Sequence, residues 1–181
     1  MDAAEDRGRG MTPGQVWGAT EAECETPLPC DRVLPGAFAA DRAISIDAPP
    51  ALVFGWLCQL RVAPYSYDLL NNLGRRSPRR RDPELTELAV GQRFMRLFTL
   101  ESFVLGRHLT LVSGDGICVT YAVRAEGGGT RLAVRVRCAA PAFAARLLVA
   151  GDVIMMRKQL RTLRALAEAE ARDARAAAGE S

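Results

Sequence analysis

The chain has 181 residues, half of them apolar, and a formal charge of +3, which allows one domain with a real core and gives no charge-based case for nucleic-acid binding. Five scattered cysteines without a C-x-x-C pair, together with one histidine, argue against a zinc site. No stretch reaches the roughly 18 uninterrupted apolar residues of a membrane span.

Residues 1–16 are rich in Gly, Arg, Asp and Ala, lack periodicity and are expected to form a disordered tail. They also lack the apolar core of a secretory signal, so a reduced, cytoplasmic setting is the default expectation. Residues 17–42 carry Pro27, Pro29 and Pro35 and read as an extended arm, pinned to the body by Trp17, Leu28, Val33 and Phe38. Ala43 to Asp47 alternates apolar with polar residues, which predicts a short strand stopped by Ala48-Pro49-Pro50. Helix should follow from Ala51 to Leu60, with Val53, Trp56, Leu57 and Leu60 on one face. After Pro64, a second short helix is expected from Tyr65 to Leu73.

Gly74 to Pro83 holds Arg75, Arg76, Arg79, Arg80 and Arg81, whose mutual repulsion predicts a solvated loop; contact with an anionic partner is the sharper alternative. Strands are then expected at Gln92–Leu97, Glu101–Gly106, His108–Val112, Cys118–Arg124 and Arg131–Ala139. Ser113 to Gly116 and Gly127 to Gly129 read as their turns. Along the last two strands Val119, Tyr121, Val123, Leu132, Val134 and Val136 share one side, while Arg124, Arg131, Arg135 and Arg137 share the other. That pattern predicts an antiparallel sheet that is dry on one face and wet on the other.

A long amphipathic helix is expected from Pro141 to about Arg172. Its stripe of Val149, Val153, Met156, Leu160, Leu163 and Ala167 is spaced by four, three, four, three and four residues, and it would cover the dry face of the sheet. The last residues, 172–181, are expected to be a disordered tail.

Few residues could carry chemistry. His108 is the only imidazole, and strand alternation sets it opposite to Leu109 and Leu111. Asp68, with Tyr65 and Tyr67, would begin the second short helix, either fastening it or overhanging a ligand site. Asp152 follows Gly151, so it either caps a restarted helix or faces the interior as a carboxylate of raised pKa. Tyr121 points to the dry side, where its phenol needs a partner. The cysteines have no recognisable activating base, and packing is their expected role.

The stretches Ala43 to Pro50, Trp56 to Leu60, Tyr65 to Asp68, Gly129 to Leu132 with Arg135 and Arg137, and Val153 to Met155 followed by Leu160 occur in a familiar order. In this order the chain resembles the START-like superfamily, also called SRPBCC, and its polyketide cyclase/dehydrase-like bacterial members. Trp17 to Thr20 and Leu28 to Asp31 resemble the arm of one subgroup. The resemblance implies an α+β helix-grip domain over 43–171: a curved antiparallel sheet wrapped around a long C-terminal helix, with two short helices after the first strand. It also implies a cavity for a hydrophobic small molecule or lipid.

The expected ligand wall comprises Tyr65, Tyr67, Phe103, Val119, Tyr121, Val123, Val134, Val136, Val153, Met156 and Leu160. His108, Asp68 and Asp152 are the catalytic candidates, and no metal or cofactor is called for. Three functions stay open at this point: an apolar-ligand binder, a cyclase/dehydratase-type enzyme, and a protein-interaction module without a ligand.

Overall fold

A computed structural model describes residues 15–65, 78–139 and 142–179, the last segment with side-chain surroundings from Met155 onward. The segment 66–77 lies outside it, so the second short helix, Tyr67, Asp68, Arg75 and Arg76 are not described; nor are the side chains of Val149, Asp152 and Val153. In chain order the elements are β1 (Val16–Trp17), α1 (Glu21–Glu25), α2 (Pro29–Val33), β2 (Phe38–Ile46), α3 (Pro50–Cys58), β3 (Arg93–Phe94), β4 (Phe98–Val104), β5 (His108–Ser113), β6 (Ile117–Glu126), β7 (Gly129–Cys138) and α4 (Ala142–Gly179). Short 3-10 turns occupy Gln59–Arg61 and Pro83–Thr86.

The centre of the sheet is the β6–β7 hairpin. Gly127 and Gly128 both take positive φ, 54° and 83°, the requirement of a two-residue turn matched to strand twist. From this hairpin the order runs β1-β2-β7-β6-β5-β4-β3, with every pairing antiparallel except β1 on β2. Directly opposed residues share a face. Val136 opposes Val119, Val134 opposes Tyr121, and Tyr121 in turn opposes Leu109, which defines an apolar inner face.

The terminal helix lies on that face. Met156, Leu160, Leu163 and Ala167 are buried as the stripe predicts, and the stripe continues to Ala171. Helix α4 extends to Gly179 rather than fraying near Arg172, helped by Arg175, which reaches back to the Asp47 carboxylate at 3.0 Å. At 38 residues it is about 57 Å long, a span that lets one element cross the whole sheet. It also runs unbroken through Gly151 and Asp152, so the helix restart that would make Asp152 a cap does not occur.

Helix α3 is buried from Val53 through Cys58, not on one face only. Its second side is covered by the end of the arginine loop. Asp82 exchanges two hydrogen bonds with the Gln59 side chain, at 2.9 and 3.0 Å, and the Arg81 stem lies over Gly55, where a Cβ would sit 3.0 Å from it. Arg81 then pairs with Glu170 of α4 at 3.0 Å, while Arg79 and Arg80 stay exposed. The strand expected over Gln92–Leu97 shrinks to Arg93–Phe94, because Met95 and Arg96 turn at φ 45° and 64° to begin β4 at Phe98.

The outer face is where the structure departs most from expectation. The sheet is not wetted there over β7. The arm, expected to be extended, folds into α1 and α2 and covers the arginines. Thr20 and Glu23 form a reciprocal capping box on α1, and the same Glu23 carboxylate receives Arg124 at 2.7 Å and Arg131 at 2.8 Å. Asp31 accepts from the Leu28 backbone and pairs with Arg135 at 2.7 Å and Arg137 at 2.8 Å. Arg135 is buried and fully occupied: Asp31, Asp41 and the backbone carbonyls of Glu23, Cys24 and Thr26 all accept from it. Gly18 allows the entry to α1, since its φ is +69° and an added Cβ would collide with the Ala43 carbonyl.

Candidate functional site

The two apolar surfaces meet between the inner face of the sheet and α4. From the sheet come Val119, Tyr121, Val123, Val134 and Val136; from α4, Met156 and Leu160; from the segment after α3, Tyr65. All belong to one buried core, with Phe103 packed partly buried against it. Phe103 reaches this side because it opposes Leu109 across the β4–β5 pair. Strand valines are small for a wall that faces a helix. Val119, Val123 and Val136 keep 3%, 7% and 6% of their surface accessible and Met156 6%, whereas Leu132 and Leu160 are sealed at 0%.

A polar cluster sits inside this apolar region. The Tyr121 hydroxyl donates to Gln159 Oε1 at 2.7 Å, and Gln159 Nε2 donates to the Pro64 carbonyl at 2.6 Å. Met95 Sδ lies 3.5 Å from the same amide nitrogen. Sheet, α4 and the post-α3 segment are thus tied at one point. The phenol that needed a partner finds it on the helix. Gln159 was not singled out by sequence, although its position three residues after Met156 places it on the apolar side of α4; a glutamine within a hydrophobic stripe was the available signal.

Trp56 contributes a second polar group. It is 1% exposed, its ring meets that of Tyr65 edge-on with centroids 6.0 Å apart, and its Nε1 has no hydrogen-bond acceptor among the described residues. Arg42, like Gln159, is a feature that sequence reading passed over. Opposed to Val134, it shares the inner face, is fully buried, and donates to the Gln15 and Asp41 carbonyls at 2.6 and 2.8 Å. Next to it at the sheet edge, Trp17 lies beneath the guanidinium groups of Arg157 and Arg161, 5.4 and 5.7 Å from its ring centre. The arm therefore closes the seam between β2 and α4.

His108 does not join the cluster. It opposes Ala122 on the outer face, half-buried, where burial and then the nearby Arg32 charge lower its pKa. Four of the five cysteine thiols have raised pKa values, burial being the first cause in each. Burial raises Cys58 to about 11 and Cys118 to about 12, and it raises Cys30, which is packed under Thr120 and Arg135. Among the described residues no group of three or more His, Cys, Asp and Glu could hold a metal ion, and no helix is long and apolar enough to cross a membrane.

No protein-family profile matches the chain, and no curated protein matches it. Solved structures do resemble it at low identity. DynU16, a protein of the dynemicin biosynthetic locus, matches with 15% identity and a TM-score of 0.45 over 69% of this chain, which spans 46% of DynU16. An AHSA1-like protein from Rhizobium etli matches with 20% identity and a TM-score of 0.42, covering 72% of this chain and 84% of that one. CalU16 from Micromonospora echinospora matches with 18% identity and a TM-score of 0.38, covering 72% and 87%. The architecture itself carries the assignment. A mostly antiparallel seven-stranded sheet, a helix inserted after its first long strand, and a 38-residue terminal helix seated on the inner face make this a helix-grip fold.

Proposed function

We propose that the protein binds an apolar small molecule or lipid between the inner face of the sheet and helix α4. The observation that carries this reading is the accessible surface retained by Val119, Val123, Val136 and Met156 beside Leu132, Val134, Tyr121 and Leu160, which keep 1% or less. Close-packed cores leave few gaps, and an apolar lining with a few placed polar groups is the usual makeup of a small-molecule site. Tyr121 and Gln159 supply the polar part. The cyclase reading would need a proton-transfer group at the same place; among the described residues His108 is on the other face and Tyr121 is engaged with Gln159, while Asp68 and the Asp152 side chain lie outside them.

Native mass spectrometry of the protein purified from its own host tests the proposal. A co-purified hydrophobic molecule that leaves on denaturation is the expected result. A mass equal to the bare chain, joined to failure to take up any apolar fluorophore, would count against it.

A further inference from the structure

Two guanidinium groups share one tryptophan at the seam between β2 and α4, and among the described residues neither pairs with a carboxylate. Arg157 and Arg161 lie over the Trp17 ring, 5.4 and 5.7 Å from its centre. Side chains four apart on a helix are neighbours, and like charges there repel by an amount comparable with what an exposed cation–π contact returns. One arginine would therefore staple the arm about as well as two. The surroundings add to the positive charge. From Met155 to Ala167 the helix holds Arg157, Lys158, Arg161 and Arg164 and no acid, and Arg42 is buried opposite Trp17 in β2. The next acids along α4 are engaged elsewhere, Glu168 with Arg164 and Glu170 with Arg81. The platform beneath is fixed in place: Arg42 holds β1 through the Gln15 carbonyl at 2.6 Å, and Gly18, where an added Cβ would collide with the Ala43 carbonyl, lets the chain turn away directly after Trp17. Arg161 is exposed and Arg157 partly so, which leaves both open to an anion from solvent.

We propose that Arg157 and Arg161, set on the Trp17 platform, form a binding site for a phosphate group. A guanidinium held by a ring face keeps its N–H edge for another partner, and two neighbouring forks match the oxygens of a phosphate, which accepts charge-assisted hydrogen bonds from both and cancels their repulsion. A doubly charged phosphate monoester gains more from two cations than a carboxylate does. The local excess of positive charge on α4 draws such an anion to this edge of the sheet. The site is independent of the apolar one, so either can fail without the other. A lipid headgroup and a free phosphate ester offer the same chemistry, and the experiment separates them.

Inorganic phosphate is titrated into the full chain at constant ionic strength, with chloride as the matched control, and Trp17 emission is read against a Trp17→Phe blank. A saturable response to phosphate and none to chloride is expected. Arg157→Gln or Arg161→Gln should weaken it about tenfold, and Arg157→Lys with Arg161→Lys should keep part of it, because the charges survive without the forks. The lysine pair also keeps the test valid if a glutamine variant does not fold. Co-flotation with phosphatidylcholine vesicles, with and without phosphatidic acid, names the source. Vesicle binding that needs both the acidic lipid and the two arginines assigns a headgroup; a positive phosphate titration without it assigns a free phosphate ester. Equal responses to phosphate and chloride would mark an adventitious ion only and overturn the site. So would binding that survives replacement of both arginines by glutamine, or the absence of both the phosphate response and the flotation.

Discussion

Tyr121 in the middle of β6 and Gln159 in the middle of α4 are joined by a 2.7 Å hydrogen bond that crosses from sheet to helix inside an otherwise apolar core. Tyr121→Phe would remove the donor and leave the Gln159 carbonyl oxygen buried and unpaired. We expect a loss of about 1–3 kcal/mol in stability, read as a lower urea midpoint with an unchanged slope. Adding Gln159→Met to it should cost less than the sum of the two single changes, because the pair then leaves no orphan on the helix. Strict additivity would show that the bond does not couple the two elements.

On the opposite face the arm depends on one side chain. Arg135 is bound by Asp31, Asp41 and three backbone carbonyls, and removing it would take a donor from all five, Asp31 alone keeping the Leu28 amide and Arg137. Arg135→Ala should destabilise the fold by about 3–5 kcal/mol, the range for breaking a buried ion pair from one side. Arg124→Ala, at the exposed rim of the same face, should cost about 1 kcal/mol or less. Chemical denaturation of the two variants separates the cases; equal effects would mean that Arg135 is no more than a surface charge.

Acid should loosen the arm. The Arg131 guanidinium, opposed by burial but helped by the Thr20 amide and Arg124, holds Glu23 far below its ordinary value of 4.5. For Asp31 burial opposes ionisation, but the Leu28 amide with Arg137 and Arg135 outweighs it and its pKa falls. A carboxylate depressed on folding stabilises fully above its unfolded value and loses that contribution as pH falls toward its folded value. Asp41 acts in the opposite sense, its pKa raised by burial despite Arg135, and offsets part of the effect. Stability should therefore drop from about pH 4.5 downward, and Glu23→Gln should flatten the profile while lowering its neutral plateau. A parallel profile in that variant would rule Glu23 out as the source.

Filling the proposed site should block it. Val136 faces Val119 and keeps some accessible surface, so Val136→Trp places an indole between sheet and helix. Overpacking of this kind costs about 1–3 kcal/mol, which a folded domain can absorb, whereas uptake of an apolar fluorophore should disappear. Unchanged uptake in a folded variant would move the ligand elsewhere.

The sequence by itself determined the inner half of this protein. Alternation in β6 and β7 sorted the valines and Tyr121 onto one side, the spacing of Met156, Leu160, Leu163 and Ala167 named the helix that covers them, and three consecutive glycines marked the turn. These signals are legible because burial imposes a period on each element separately, two residues for a strand and 3.6 for a helix. The outer half was decided only in three dimensions. Nothing in the spacing of Glu23, Asp31 and Asp41 announces that Arg135, about a hundred residues away, will gather two of those carboxylates and the carbonyls of α1, so a row of arginines read as a wet face. The same limit hid the burial of Arg42, the hydrogen-bonding state of the Trp56 indole and the part played by Gln159. Whether a buried polar group is satisfied depends on which distant atoms come within about 3 Å of it, and that follows from the packing of whole elements, not from the pattern along any one of them.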